Sequence, residues 1–579
     1  MTRIPLKRIL NRRVTQVAAV VVTTLAAGTT IGGASVTTSY TTNPIVLTQP
    51  AGLTGTAPVP FTGVTSSAFS VASSFSGTLN VTPNVGLSGD HFSIVGSGLP
   101  ANTSLQLTWG TSKATWVADV EPNTVNYLGD SYTKQTVNLA TVTTDGSGAF
   151  TYAAVAPVDW GGTHDIYAVQ NAGAGNATAV AHGGYELTRR VIVTPTHGPV
   201  GTPIHITYTS LGASLYAGGA SVLYDNHYAG AMMGHWTRGT ATTIIRASGA
   251  VGTHFIQVGD AISNLYMNII QSPLAYVNGG SATFTVTPSK GIPAPYITWP
   301  DNVTPTVNQF TTGDNTAIDS SSNAVATLSK SAGPVLSSVK VHVTNLTDSG
   351  TTTPSNGTYS LGWATVAGSR VNCTSTCWNA LTLPLGTATA VNGTLDANIT
   401  IPNHLGGFHV IEVVDASKNI EAEVPFYVQE SIMPFKNSAG KVISLGVATA
   451  NDSTDPAALA VGQSGTGTYT FKENQEFTIS ILGVGWTQFD NTLGVDYDNN
   501  YVGYGCGFNS NGYMVVHMYA TGGPGIHIID LHPMLYTMSP SFVNTPYGMV
   551  PNLTSGNDYP ALALGYQVPT IHFAINVVK

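Results

Sequence analysis

Gly162-Thr163-His164-Asp165-Ile166 is one of four copies of a G-x-H-x-I pattern in this chain of 579 residues. The others are Gly252-Thr253-His254-Phe255-Ile256, Gly407-Phe408-His409-Val410-Ile411 and Gly525-Ile526-His527-Ile528-Ile529. Alternating residues follow each copy, as in a strand with one buried face. A turn carrying Gly lies 15 or 16 residues before each His, at Gly148, Gly239, Gly393 and Gly512. Phe150, Leu395 and Tyr513 each precede their His by 14 residues. Fixed spacing between a turn and a strand means that one structural unit is used four times.

Two further repeats extend the unit. Residues 81–99 (VTPNVGLSGDHFSIVGSGL) align without a gap on residues 193–211 (VTPTHGPVGTPIHITYTSL), and Val286-Thr287-Pro288 opens a third copy. Tyr224-Asp225-Asn226-His227-Tyr228-Ala229-Gly230 matches Tyr497-Asp498-Asn499-Asn500-Tyr501-Val502-Gly503, each Tyr lying 30 residues before its motif His. The first and third units carry longer insertions there. Their Leu107-Thr108-Trp109 and Leu361-Gly362-Trp363 read as a buried Trp on a central strand. The expected units are 79–193, 194–288, 289–432 and 433–579. Short strands between Gly, Pro and Asn turns, without helical periodicity, predict an all-β chain of tandem antiparallel β-sandwiches.

The order VTP…G…G, alternating strand, Y-D-N-x-Y-x-G hairpin, Gly turn, apolar strand and G-x-H-x-I resembles the immunoglobulin-like repeats of prokaryotic cell-surface proteins. The resemblance covers most of the chain after residue 79. It implies immunoglobulin-like sandwiches outside the cell. It does not choose among S-layers, adhesins, filaments and enzyme spacers, because such folds host many functions.

Composition agrees with export. Charged residues make up 8% of the chain, against about 25% in typical soluble proteins. Net charge is −9, and the absence of a basic patch argues against nucleic-acid binding. Arg3 to Arg13 form a basic region, Val14 to Leu25 an apolar one, and Gly32-Gly33-Ala34 a candidate cleavage site. Residues 1–34 therefore read as a signal peptide or, if uncleaved, an N-terminal anchor helix, the chain's one expected membrane contact. Residues 35–78, rich in Ser, Thr, Pro and Gly, read as a linker. The alternative is a strand donated to a neighbouring subunit, Pro44-Ile45-Val46-Leu47-Thr48. Cys373 and Cys377 are spaced for a small disulfide loop, and Cys506 has no evident partner in the sequence.

Candidate sites are few. His164, His254, His409 and His527 recur with the fold and read as structural, since separate domains do not converge on one ion; no metal or cofactor is expected. Asp225 and Asp498 suit turn-forming side chains. Tyr224, Tyr228, Tyr497 and Tyr501 read as core or cross-strand packing. The alternative makes these six hairpin residues a binding strip for a glycan or protein. H-E-x-x-H, G-x-S-x-G, P-loop and dinucleotide patterns are all missing, and Glu is scarce, so no enzyme is expected. The leading expectation is a secreted or cell-surface structural protein, a subunit of a surface layer, thread or filament that self-assembles or joins other surface proteins. Serial domains with short junctions suggest a semi-rigid rod. An adhesin or carbohydrate-binding protein is the alternative, and a secreted hydrolase with an unrecognised site the third.

Overall fold

The computed structural model describes residues 45–46, 69–71, 74–121, 124–212, 219–260, 280–289, 291–300, 321–368, 378–436, 439–449, 469–507, 511–536, 549–554 and 558–579. The expected export segment 1–34, most of the linker, Cys373 and Cys377 lie outside them. The chain is all-β, built of tandem antiparallel immunoglobulin-like sandwiches. Among the described residues the one helix is Pro560–Ala563, and no helix there is long and apolar enough to cross a membrane.

Each sandwich pairs a small sheet with a larger one. In the second, Arg190–Thr194, Pro203–Thr209 and Ala241–Arg246 form the small sheet. The larger runs His197–Pro199, Gly280–Thr287, Gly252–Asp260, Gly219–Tyr224, His227–Met233. The first and third repeat this order, with Thr78–Thr82, His91–Ser97, Phe150–Val155 and with Val325–Leu328, Ser338–Thr344, Leu395–Thr400 as small sheets. In the fourth, Ser431–Ile432, Glu476–Leu482, Val447–Thr449 and Met514–Tyr519 form the small sheet. Its larger sheet orders Thr470–Lys472, Thr570–Val578, Gly525–Tyr536, Thr492–Tyr497, Asn500–Cys506.

The repeated motifs have local physical roles. Pro83 and Pro195 sit where the chain leaves the small sheet and joins the larger one; a residue without an N–H ends the first ladder there. The motif His opens the central strand of the larger sheet in all four sandwiches. Asp225, Asn226, Asp498 and Asn499 all have positive φ, the conformation a two-residue hairpin turn requires.

Two features join the sandwiches beyond their covalent junctions. Strand Tyr296–Thr298, which precedes the third sandwich, pairs antiparallel with Thr570–His572 of the fourth. The segment between Gly525–Tyr536 and Thr570–Val578 leaves the fourth sandwich and carries Met549, Val550, Tyr559, Ala561, Leu562 and Leu564 into an apolar core. Trp116 and Ala118 of the first sandwich enter that core, with Ala231 and Met233 of the second and Phe408 and Tyr427 of the third. A rod held only by serial junctions is not what this chain builds, because apolar burial is shared across all four sandwiches.

Candidate functional site

The four motif histidines share one arrangement with two variants. In the first and third sandwiches the ring stacks on a Trp, His164 on Trp109 with centroids 4.4 Å apart and His409 on Trp363 at 4.6 Å. His164 Nδ1 lies 2.7 Å from Gly110 O and Nε2 2.6 Å from Trp160 O. His409 meets Ala364 O and Leu405 O at 3.2 and 2.9 Å. Burial pushes the His409 ring down to about 4, against the pull of these carbonyls.

In the second and fourth sandwiches a Tyr replaces the Trp and a carboxylate replaces one carbonyl. His254 stacks on Tyr224 and lies 2.5 Å from Asp225 Oδ2; His527 stacks on Tyr497 and lies 2.5 Å from Asp498 Oδ2. Phe255 N donates to Asp225 Oδ1 and Ile528 N to Asp498 Oδ1, at 2.9 and 3.0 Å. The Asp therefore pins the hairpin turn to the motif strand. Burial works against a charged His527, but the hydrogen bond and charge of Asp498 outweigh it and raise its pKa. Tyr224 and Tyr497 are buried, and their hydroxyls donate to Ser248 O and Thr521 O at 2.9 and 2.8 Å. Tyr228 and Tyr501 pack against the shared apolar core. The six hairpin residues thus divide between the frame of each sandwich and the junction between sandwiches.

Buried charges lock the second and fourth sandwiches together. Arg246, fully buried, donates Nε to Asp530 Oδ2 at 3.1 Å and Nη2 to Phe573 O at 2.6 Å, with Nη2 also 2.6 Å from Asp530 Oδ1. His572 Nδ1 lies 2.6 Å from the same Oδ1. Although burial opposes it, the positive charge of Arg246 and the hydrogen bond with His572 hold Asp530 below the ordinary carboxylate range. Tyr296 stacks on His572 at 4.2 Å, so the added strand covers this cluster. A second hub forms at Asp558, which accepts from Trp116 Nε1 at 3.1 Å and Trp236 N at 2.8 Å. Three sandwiches meet at that one carboxylate.

The second and fourth sandwiches also contain matching grooves between the edge strand of the larger sheet and the last strand of the small one. In the second, the groove is filled. Met549–Pro551 pairs with Met534–Tyr536 of the fourth sandwich, and the chain then crosses into the second. Leu553 N donates to Ala231 O at 2.8 Å, and Met233 N donates to Thr554 Oγ1 at 3.0 Å. Thr243 Oγ1 donates to Leu553 O. Leu553 is 5% exposed and packs among Tyr224, Ala229, Met232 and Ile245. A Cβ at Gly230 would lie 2.6 Å from Pro551 O, so only Gly admits the segment.

Counted from the shared Tyr-Asp-Asn turn, Tyr504 is the counterpart of Ala231, Val516 of Thr243 and Gly503 of Gly230. In the fourth sandwich these line a cleft of about 480 Å³ with Val502, Met518 and Tyr519. Val502, Tyr504 and Tyr519 are 53%, 45% and 60% exposed. Among the described residues, nothing lies within 4 Å of a Cβ built at Gly503. A separate cleft of about 730 Å³ in the first sandwich is lined by Phe69, Lys134, Trp160, His164, Asp165 and Tyr167 among others.

Sequence reasoning missed Arg246, Asp530, Asp558 and Leu553. For the first two a signal was present: in so charge-poor a chain, a lone Arg in ATTIIRAS and a lone Asp in HIIDLH mark buried charges. Cys506 Sγ lies 3.0 Å from Thr492 Oγ1. Among the described residues, no three His, Cys, Asp or Glu side chains are grouped as ligands for an ion.

No protein-family model matches this chain, and no curated protein does. Solved structures match it only at low identity and low TM-score. FdeC, an adhesin of Escherichia coli, is 12% identical, covering 61% of this chain and 97% of its own, with a TM-score of 0.14. Invasin, a bacterial integrin-binding protein, is also 12% identical, covering 82% and 79%, at 0.16. Escherichia coli alpha-2-macroglobulin is 8% identical over 86% of this chain but 30% of its own, at 0.16. The assignment of the fold rests on the strand order itself.

Proposed function

We propose that this chain is an exported structural protein of the cell surface, a subunit of a layer, thread or filament, and not an enzyme. The observation that carries the reading is the apolar core to which all four sandwiches contribute. A core of that kind fixes the sandwiches in one geometry, which a repeating assembly needs and a flexible tether does not. Scarcity of charge adds to this, because surfaces meeting in an assembly have few ions to desolvate. Electron microscopy of native cell surfaces, with immunogold against this chain, tests it. Label on a regular layer or fibre is expected; label confined to dispersed protein would sink the idea.

A second reading, an adhesin, is favoured by the first-sandwich cleft, where aromatic rings adjoin Lys134 and Asp165. Concave sites with aromatic walls and a few polar groups suit small ligands such as sugars. Glycan-array binding lost on Tyr167→Ala would support it.

A further inference from the structure

We infer that the open groove of the fourth sandwich docks an extended, uncharged segment of a second copy of this chain, the stretch around Pro44-Ile45-Val46-Leu47-Thr48. The inference rests on the proposed role as an assembling protein and names the contact that would drive it.

The chain itself provides the precedent. The second sandwich has the same hairpin and the same groove, and there Pro551 to Thr554 lies along the edge strand, with its Leu buried in the sandwich. That segment reaches the groove from a different sandwich. The groove is therefore a receptor for a strand that its own sandwich does not supply. The fourth sandwich keeps the receptor features: Gly503 has the same positive φ as Gly230, 157° against 154°, and no described residue lies within 4 Å of a Cβ built there. Its walls carry the exposed Tyr504 where the second sandwich has Ala231, and the half-buried Val516 where it has Thr243, beside the exposed Val502 and Tyr519. Exposed edges of this kind template the addition of a strand from another chain. In such additions, backbone hydrogen bonds supply affinity and alternate side chains enter pockets.

The occupant is argued from three observations. Ile45 and Val46 already form an added strand, pairing antiparallel with Ala118 and Val117 at the edge of the first sandwich's larger sheet. They lie outside the repeated unit and form no part of any small sheet. Pro44-Ile-Val-Leu47-Thr48 also resembles Pro551-Asn-Leu553-Thr554, a Pro followed closely by Leu-Thr. Finally, no charge occurs between Arg13 and Asp90, so burying this stretch desolvates no ion.

The test uses the exported full chain in complementary variants. Val502→Lys with Tyr504→Lys disables the receptor; Ile45→Asp with Leu47→Asp disables the donor; Val391→Lys, at another exposed apolar position, is the control. Light scattering after gel filtration should show concentration-dependent oligomers for wild type and control. Either variant alone should be monomeric, the receptor variant with a thermal midpoint unchanged. Mixing the two should restore a dimer and stop there, because each dimer retains only a disabled donor and a disabled receptor at its free ends. A labelled peptide covering residues 43–54 should bind wild type and bind the receptor variant at least tenfold more weakly, a difference of about 1.4 kcal/mol. If the receptor variant assembles like wild type, or the mixture yields no dimer, the docking inference is overturned while the structural role stands. Should wild type remain monomeric at every concentration and the peptide fail to bind, both fall.

Discussion

The second and fourth sandwiches have the same Tyr-Asp-Asn turn, the same His–Asp–Tyr frame and the same strand order, yet they differ along one edge. Ala231, Thr243 and Arg246 of the second correspond to Tyr504, Val516 and Tyr519 of the fourth. The first set is buried under a crossing segment and an ion pair; Tyr504 and Tyr519 are exposed. Residues that the two share make a sandwich, and residues that differ decide what it is joined to. That division explains why a frame can be copied four times while each copy has different neighbours.

Breaking the buried ion pair should have the largest effect. Arg246→Ala leaves Asp530 buried without its guanidinium and should cost about 3–5 kcal/mol. Its counterpart Tyr519→Ala, at an exposed position, should fall within about 0.5 kcal/mol. Scanning calorimetry on both variants checks the contrast, and equal losses would break it. Next comes the crossing segment. Leu553→Ala removes the side chain that fills the second groove and should cost about 2–3 kcal/mol in urea unfolding. Val502→Ala in the open groove should cost little.

The pH dependence of stability sharpens the comparison at the junction of the third and fourth sandwiches. Burial raises the Asp490 carboxyl to about 7, against hydrogen bonds from Thr487. A raised folded pKa adds stability that is complete below the unfolded carboxylate value and lost as pH rises through about 7. His409 and His532, held down at about 4 by burial, act in the opposite sense. Their contribution is present above the ordinary imidazole value and lost as pH falls through about 4. Asp490→Asn should remove the carboxyl's share, so that stability gains less, or falls more, than in wild type between about pH 7 and 4. Denaturant melts across that range measure it; superimposable pH profiles would exclude the role.

The smallest effect concerns the frame. Asp498→Asn should lower the His527 pKa in an NMR titration and cost about 1 kcal/mol. The stability that the Asp498–His527 pair confers should be full below the unfolded imidazole value and fade as pH rises through the raised folded one. Asp225→Asn in the second sandwich should cost a similar amount, because both carboxylates make the same two contacts.

Much of the frame was legible in the sequence. Spacing between Gly148 and His164, or Tyr224 and His254, is local and repeats, so it survives in one dimension. Trp109 and Trp363 were legible for the same reason. The pairing of Arg246 with Asp530 was not, because nothing in either local pattern names a partner hundreds of residues away. Leu553 was missed because a short apolar stretch broken by Pro551 and Asn552 has no periodicity. The hairpin tyrosines show the limit from the other side: Tyr224 and Tyr228 are near neighbours in one motif, yet one belongs to a sandwich core and the other to a junction.

By itself the sequence determined the repeated unit, its strand alternation and its turns, since these depend on residues within a few tens of positions. Tertiary structure alone decided which sandwiches touch, where the few charges are buried and which groove is filled. Those depend on the segment between Gly525–Tyr536 and Thr570–Val578 of the fourth sandwich meeting residues of the other three in one apolar core, and on shape complementarity at edges that the repeat leaves unspecified.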